Sequence, residues 1–167
     1  LPPDVLPDAV HEPYRERVRL LNSRPAAAKG EFVLYWMHHA VRGHENPALG
    51  TAVAIGNHRD LPVVAYQGLG GSHRFSNDRH YTFILEGARD AHAEIEKLGV
   101  CTAFNLPLDK NDTSPLSSLL ERAAVIVTDE FPVPPMGEWM QLHARRAPVT
   151  MIAVDASCLV PMRLQPQ

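Results

Sequence analysis

Long apolar runs are missing from this chain, and so is any surplus of positive charge. No apolar stretch approaches the roughly 20 residues needed to cross a bilayer. No charged-then-apolar leader opens the chain either, since LPPDVLPDAV is proline-rich and acidic. The net charge of −3, with 16 Lys and Arg dispersed rather than striped, argues against nucleic-acid binding by this chain alone, because neutralising phosphates needs a basic face. Cysteine is scarce: Cys101 and Cys158 lie far apart and form no CxxC pair. That usage reads as two reduced thiols in a cytoplasmic protein. Catalytic and phosphate-binding signatures are missing as well: HExxH, GxSxG, a full GxGxxG and a Walker lysine are all absent.

What is present suits one globular domain. A chain of 167 residues with 45% apolar and 21% charged residues can bury a real core. FVLYWM (32–37) is a continuous apolar run, too short for a helix and rich in β-formers, as a strand buried on both faces of a parallel sheet would be. LPVVAYQ (61–67), AAVIVT (123–128) and PVTMIAV (148–154) repeat the type, and VCTAFNL (100–106) is a weaker fifth. Helical patterns lie between them. Asn46-Pro47 sets an N-cap and a first-turn proline before one helix, and Ser114-Pro115 repeats the device. A second helix begins at Asn77-Asp78, carries Ile84, Ala88, Ala91, Ile95 and Leu98 on one stripe, and stops at Gly99. A shorter one spans Gly137 to Arg145. This alternation predicts an α/β, Rossmann-like, doubly wound five-stranded parallel sheet with helices on both faces. The expected domain covers residues 31–163, after an extended arm at 1–30 and before a tail or linker start at 164–167.

Such a sheet binds ligands outside the carboxyl ends of its strands, where the strand order reverses. His38 and His39 fall there, at the end of the first long strand. With His44 and Glu45 they suggest a metal site, but adjacent residues on an extended chain point to opposite sides, so no zinc is expected. GLGGS (68–72) follows a strand as a phosphate loop would, yet its glycines equally serve a tight loop. Cys101 and Cys158 lie in or beside apolar strands, where buried thiols are inert. Asp129 and Glu130 end a strand and are placed either to bond a ligand hydroxyl or amine or to cap the next turn. Arg79, His80, Tyr81 and Phe83 crowd the first turn of a helix, where cations oppose its dipole. They read as a wall for a planar anionic ligand or as a face for another domain. The plainer alternative makes Tyr81 and Phe83 core residues and Arg79 a solvated one.

Taken in order, several segments carry a resemblance. VLYWM, then Arg42 and Asn46 before a helix, then LPVVAYQGLGGSHRFSNDRHYTFILEG, TDEFPVPPMGEW and VDASCLVP resemble the amino-terminal photolyase/cryptochrome α/β domain. The likeness is greatest to class II cyclobutane-pyrimidine-dimer DNA photolyases and runs from about Arg17 to Arg163. It implies strand order 3-2-1-4-5 and a pocket for a light-harvesting antenna chromophore: a deazaflavin, flavin or folate. Trp36, Met37 and His38 would form one side and Arg79 and Phe83 the other, with Gly68 in the loop and Asp129 or Glu130 bonding polar edges. It also implies docking on a FAD-binding helical domain, through a face near Phe75, Tyr81 and Trp139. That domain has no counterpart in these residues, so the chain alone is expected not to repair DNA. A free-standing nucleotide- or flavin-binding protein, or a docking module with an empty pocket, are the alternatives.

Overall fold

Three runs of apolar residues fix the middle of the sheet. Phe32–Trp36, Ala123–Asp129 and Met151–Val154 are buried at every position, as strands covered on both faces must be. The computed structural model describes residues 10, 12–70, 77–107, 114–131 and 133–165. Phe75, assigned from the sequence to a docking face, lies outside the described residues. In chain order the elements begin with α1 (Glu12–Arg15), β1 (Val18–Leu20), β2 (Phe32–Trp36) and α2 (Pro47–Arg59). Then come β3 (Val63–Gly68), α3 (Asp78–Lys97), β4 (Cys101–Asn105) and α4 (Leu116–Arg122). Last are β5 (Ala123–Asp129), α5 (Met136–Arg146), β6 (Met151–Val154) and a 3₁₀ turn at Met162–Leu164.

The sheet has six strands in the order β1-β6-β5-β2-β3-β4. This corrects the expectation of five strands, both in count and in full order. The five parallel strands alone run β4-β3-β2-β5-β6; the sixth, β1, is antiparallel to β6, with Val18 opposite Val154 and Leu20 opposite Ile152. It comes from the segment read as an extended arm. Around it, Leu21 N–H donates to the Met151 carbonyl at 2.9 Å, and the Asn22 side chain donates to the Ala144 and Val149 carbonyls. These bonds satisfy what would otherwise be an open sheet edge.

Side-chain alternation assigns each face its helices. Val33 and Tyr35 of β2, with Val125, Val127, Ile152 and Val154, pack against Ala48, Leu49, Ala52 and Ile55 of α2 and Ile95 of α3. Leu34 and Trp36, with Ile126, Met151 and Ala153, pack against Leu116 and Leu120 of α4 and Met140 and Ala144 of α5. The caps are those the sequence announced for two helices. Asn46 Oδ1 accepts from the Ala48 and Leu49 N–H groups at 3.1 Å, and Asn77 Oδ1 from that of His80 at 2.9 Å. Gly99 follows α3 at φ +80, a conformation open to glycine at no steric cost. The α3 stripe buries Ala88, Ala91 and Ile95, but Leu98 is 62% exposed because the helix ends at Lys97 and the chain turns away. Among the described residues no helix is long and apolar enough to cross a membrane.

Candidate functional site

The strand β2 lies between β3 and β5, so the chain winds outward on one side of it and returns on the other. Above the carboxyl end of β2 two polar systems meet. The first is internal. Tyr35 donates its hydroxyl to Asp129 Oδ1 at 2.7 Å. Asp129 Oδ2 accepts three backbone N–H groups, from His38 at 3.0 Å, His39 at 2.9 Å and Ala40 at 3.0 Å. Asn46 closes the system: its side-chain amide donates to the Tyr35 hydroxyl at 3.0 Å and to the Ala40 and Arg42 carbonyls. Burial, with the Asp129 carboxylate beside it, drives the Tyr35 phenol well above its ordinary range. This network holds the loop that follows β2 in one conformation.

The second system is a cavity of about 950 Å³, at the upper end of small-molecule sites. Trp36 lines it from β2, His38 from the loop that follows, Gln67 and Gly68 from β3, Phe83 from α3 and Trp139 from α5. The Trp36 indole is held edge-on by His143 at 4.9 Å between ring centroids, and His38 tilts against it at 5.2 Å. Both ring nitrogens of His38 are buried without a hydrogen-bond partner. Burial holds its pKa below the ordinary histidine range, outweighing the nearby Asp129 carboxylate that would raise it. The cavity wall therefore presents aromatic faces, while the His38 ring nitrogens are closed off from it. That lining fits a flat, largely apolar ring.

Of the residues singled out from the sequence, Trp36, His38, Gly68 and Phe83 border this cavity. Met37 does not: it is fully buried in the core beside Tyr35. Arg79 is exposed on the first turn of α3 and is not among the lining residues. The expectation that Asp129 or Glu130 bonds a ligand meets a different arrangement. Asp129 has both oxygens engaged within the protein, and Glu130 is paired with Arg19 of β1 at 2.5 Å. The capping alternative is the one Asp129 fits, across the sheet rather than along its own chain. The histidines of the first loop also separate. His39 stacks on Phe131 at 3.8 Å, and His44 Nδ1 lies 3.0 Å from Glu94 Oε2. Among the described residues no three His, Cys, Asp or Glu side chains group as a metal site would require. Sequence reasoning passed over Gln67 and His92, whose side chains meet at the cavity's α3 side. The one signal was a polar residue at the end of an otherwise apolar strand.

Fold and cavity together define a doubly wound α/β domain with a ligand-sized site at its switch point. Comparison with known proteins carries this further. The chain is 32% identical over 152 residues to a deoxyribodipyrimidine photo-lyase of Methanothermobacter thermautotrophicus, covering 89% of this chain and 33% of that protein. It is 28% identical over 151 residues to a deoxyribodipyrimidine photo-lyase of Potorous tridactylus, covering 88% of this chain and 28% of that one. No family model matches the chain. The resemblance to photolyases read from the sequence is borne out, since the chain is similar to these deoxyribodipyrimidine photo-lyases over most of its length; the likeness to class II in particular is not tested by them. It spans about a third of the length of these curated relatives.

Proposed function

We propose that this chain is the antenna-binding α/β domain of a class II-type cyclobutane-pyrimidine-dimer photolyase. Its cavity takes a planar aromatic chromophore (a deazaflavin, flavin or folate), and the domain docks on a FAD-binding helical domain. The observation that carries the reading is the cavity at the switch point of the sheet, lined by the aromatic side chains of Trp36, Phe83 and Trp139. Trp36, Gly68 and Phe83 are assigned to the lining of the same cavity, Trp36 on the side of His38 and Phe83 opposite. Each Å² of apolar ring surface buried there contributes about 25 cal/mol. Docking is supported by the large apolar side chains left outside, with Phe83 76% and Trp139 51% exposed beside the cavity mouth. DNA repair belongs to the whole protein in this reading, because the cofactor that performs it sits on the other domain.

The test is titration with a deazaflavin, a flavin and a folate while following the fluorescence of Trp36 and Trp139. Saturable quenching by one of them is expected, and its loss in Gly87→Phe. Gly87 lines the cavity, and a Cβ built there meets no atom within 4 Å, so the new ring fills the cavity rather than disturbing the core. No quenching by any of the three would leave docking as this domain's task.

A further inference from the structure

The two edges of the sheet are built unequally. The edge strand β1 has three residues, one of them the exposed Arg19, and Arg17 flanks it. Shortness and charge are ordinary protections of an exposed edge. At the other end β4 runs Cys101-Thr102-Ala103-Phe104-Asn105, with no charged residue and no proline. Among the described residues it pairs with β3 alone. The Asn105 carbonyl accepts from the Leu69 N–H and so points toward β3. Backbone groups alternate in direction along a strand, and Thr102 and Phe104 therefore turn theirs outward. The N–H and C=O groups of both residues have no partner there among the described residues.

Apolar surface gathers around the same edge. Leu98 stands just before β4 and is 62% exposed, Leu106 follows it at 41%, and Leu85 of α3 lies beside it at 37%. Between Leu85, Ala88, Arg89 and His92 of α3 and Phe104 of β4 is a hollow of about 190 Å³, room for an apolar side chain. No residue of β4 lines the large cavity, so the edge and the cavity are separate surfaces.

We infer that β4 is a dimerisation edge, at which a second copy of this chain adds its own β4 in antiparallel register. A two-fold axis through Ala103 sets Thr102 opposite Phe104 of the partner copy, so the outward groups of both residues pair. Ala103 has the smallest side chain of the strand and falls where the two backbones come closest. Antiparallel pairing also brings the Leu98 end of one copy to the Leu106 end of the other, covering leucines at both ends. Each Glu96 carboxylate is bonded to a Thr102 hydroxyl at 2.6 Å, and this register keeps the two Thr102 residues out of line with each other. The pattern is self-complementary, which is why the occupant is a second copy. Association closes at two, because the edges left over are both β1, short and charged. A five-residue strand gives less than the roughly 800 Å² per partner of a standard interface, so the Kd is about 10–100 µM. This goes beyond the proposed function and does not depend on it.

The test is sedimentation of the chain between about 5 and 500 µM, where monomer should give way to dimer and to nothing larger. Thr102→Pro deletes an outward N–H, a change that edge strands tolerate, and should hold the chain monomeric. Leu98→Asp alters an exposed side chain, leaves folding alone, and should weaken the dimer about tenfold or more. In Asn105→Cys the new thiol stands opposite Cys101 of the partner copy. Oxidised glutathione should then link two chains into a species of twice 18.5 kDa, far faster than in the wild type. Thermal melts confirm that the variants fold, and Leu98→Asp decides the matter should Thr102→Pro not. A chain that stays monomeric throughout would overturn the inference. So would a dimer indifferent to both Thr102→Pro and Leu98→Asp, which another face must then make, or growth beyond two copies. Absence of the disulfide-linked species would overturn the register centred on Ala103.

Discussion

Two groups of side chains sit next to each other at the carboxyl end of β2, and they treat their polar atoms in opposite ways. On the α2 side, Tyr35, Asn46 and Asp129 find partners for one another and for three backbone N–H groups. On the α5 side, three residues after Tyr35, His38 leaves both ring nitrogens without a hydrogen-bond partner. Both regions are buried, so solvent does not explain the difference. Satisfied polar groups in a core specify a conformation, whereas unsatisfied ones wait for something. The first group is the scaffold that aims the second.

Breaking the scaffold should have the largest effect. Asp129→Ala strips an acceptor from the Tyr35 hydroxyl and from the N–H groups of His38, His39 and Ala40. Urea denaturation should show a loss of about 3 kcal/mol or more, in line with other broken buried networks. A loss below 1 kcal/mol would mean that the loop after β2 is held by something else.

His38→Phe should do the reverse. Replacing an unpaired buried imidazole by an apolar ring is expected to leave stability within about 1 kcal/mol of the parent, or to raise it. Chromophore quenching should meanwhile be lost. The pH dependence sharpens the point. Burial lowers the pKa of His38, and likewise of His92 and His143, from an ordinary value of 6.5. Between the folded and unfolded values the unfolded chain holds more protons, so stability rises with pH there. It should be full above about pH 6.5 and fall as pH drops through the folded values. In His38→Phe the fall over that window should be shallower. An unchanged slope would show that His38 is not shielded from solvent.

The smallest effect belongs to Glu130. It neighbours Asp129 in sequence, but it pairs with the half-exposed Arg19 at the sheet edge. Glu130→Gln should cost less than about 1 kcal/mol and leave chromophore titration unchanged. A change in ligand affinity would return Glu130 to the site.

The strands β2, β5 and β6 were legible because a strand covered on both faces reads as a near-continuous apolar run, broken in β5 only by Thr128 and Asp129 at its carboxyl end. The Asn46 and Asn77 caps were legible because capping is local. The strand β1 was not. Its three residues lie among charges, and the faint alternation of buried Val18, exposed Arg19 and half-buried Leu20 gains meaning only beside β6. The site divides along the same line. Trp36 and His38 follow from where a strand ends. The bond from Asp129 to the N–H of His38 spans 91 positions, and no spacing within either segment announces it. The pairing of Gln67 with His92, 25 positions apart, depends equally on the docking of α3.

The antiparallel pairing of β1 with β6 also determines how this domain responds to force. Val18 opens β1 and Val154 closes β6, and the two lie opposite each other, so both strands leave the pairing at one end. Tension applied through the flanking residues would not load the ladder in shear. It would open it bond by bond, as a zip runs. Arg17 stands at the fork, donating to the carbonyls of Asp155, Cys158 and Leu159, and its guanidinium is what a pull must first detach. The strand added at this edge of the sheet is therefore the one along which the domain peels at low load.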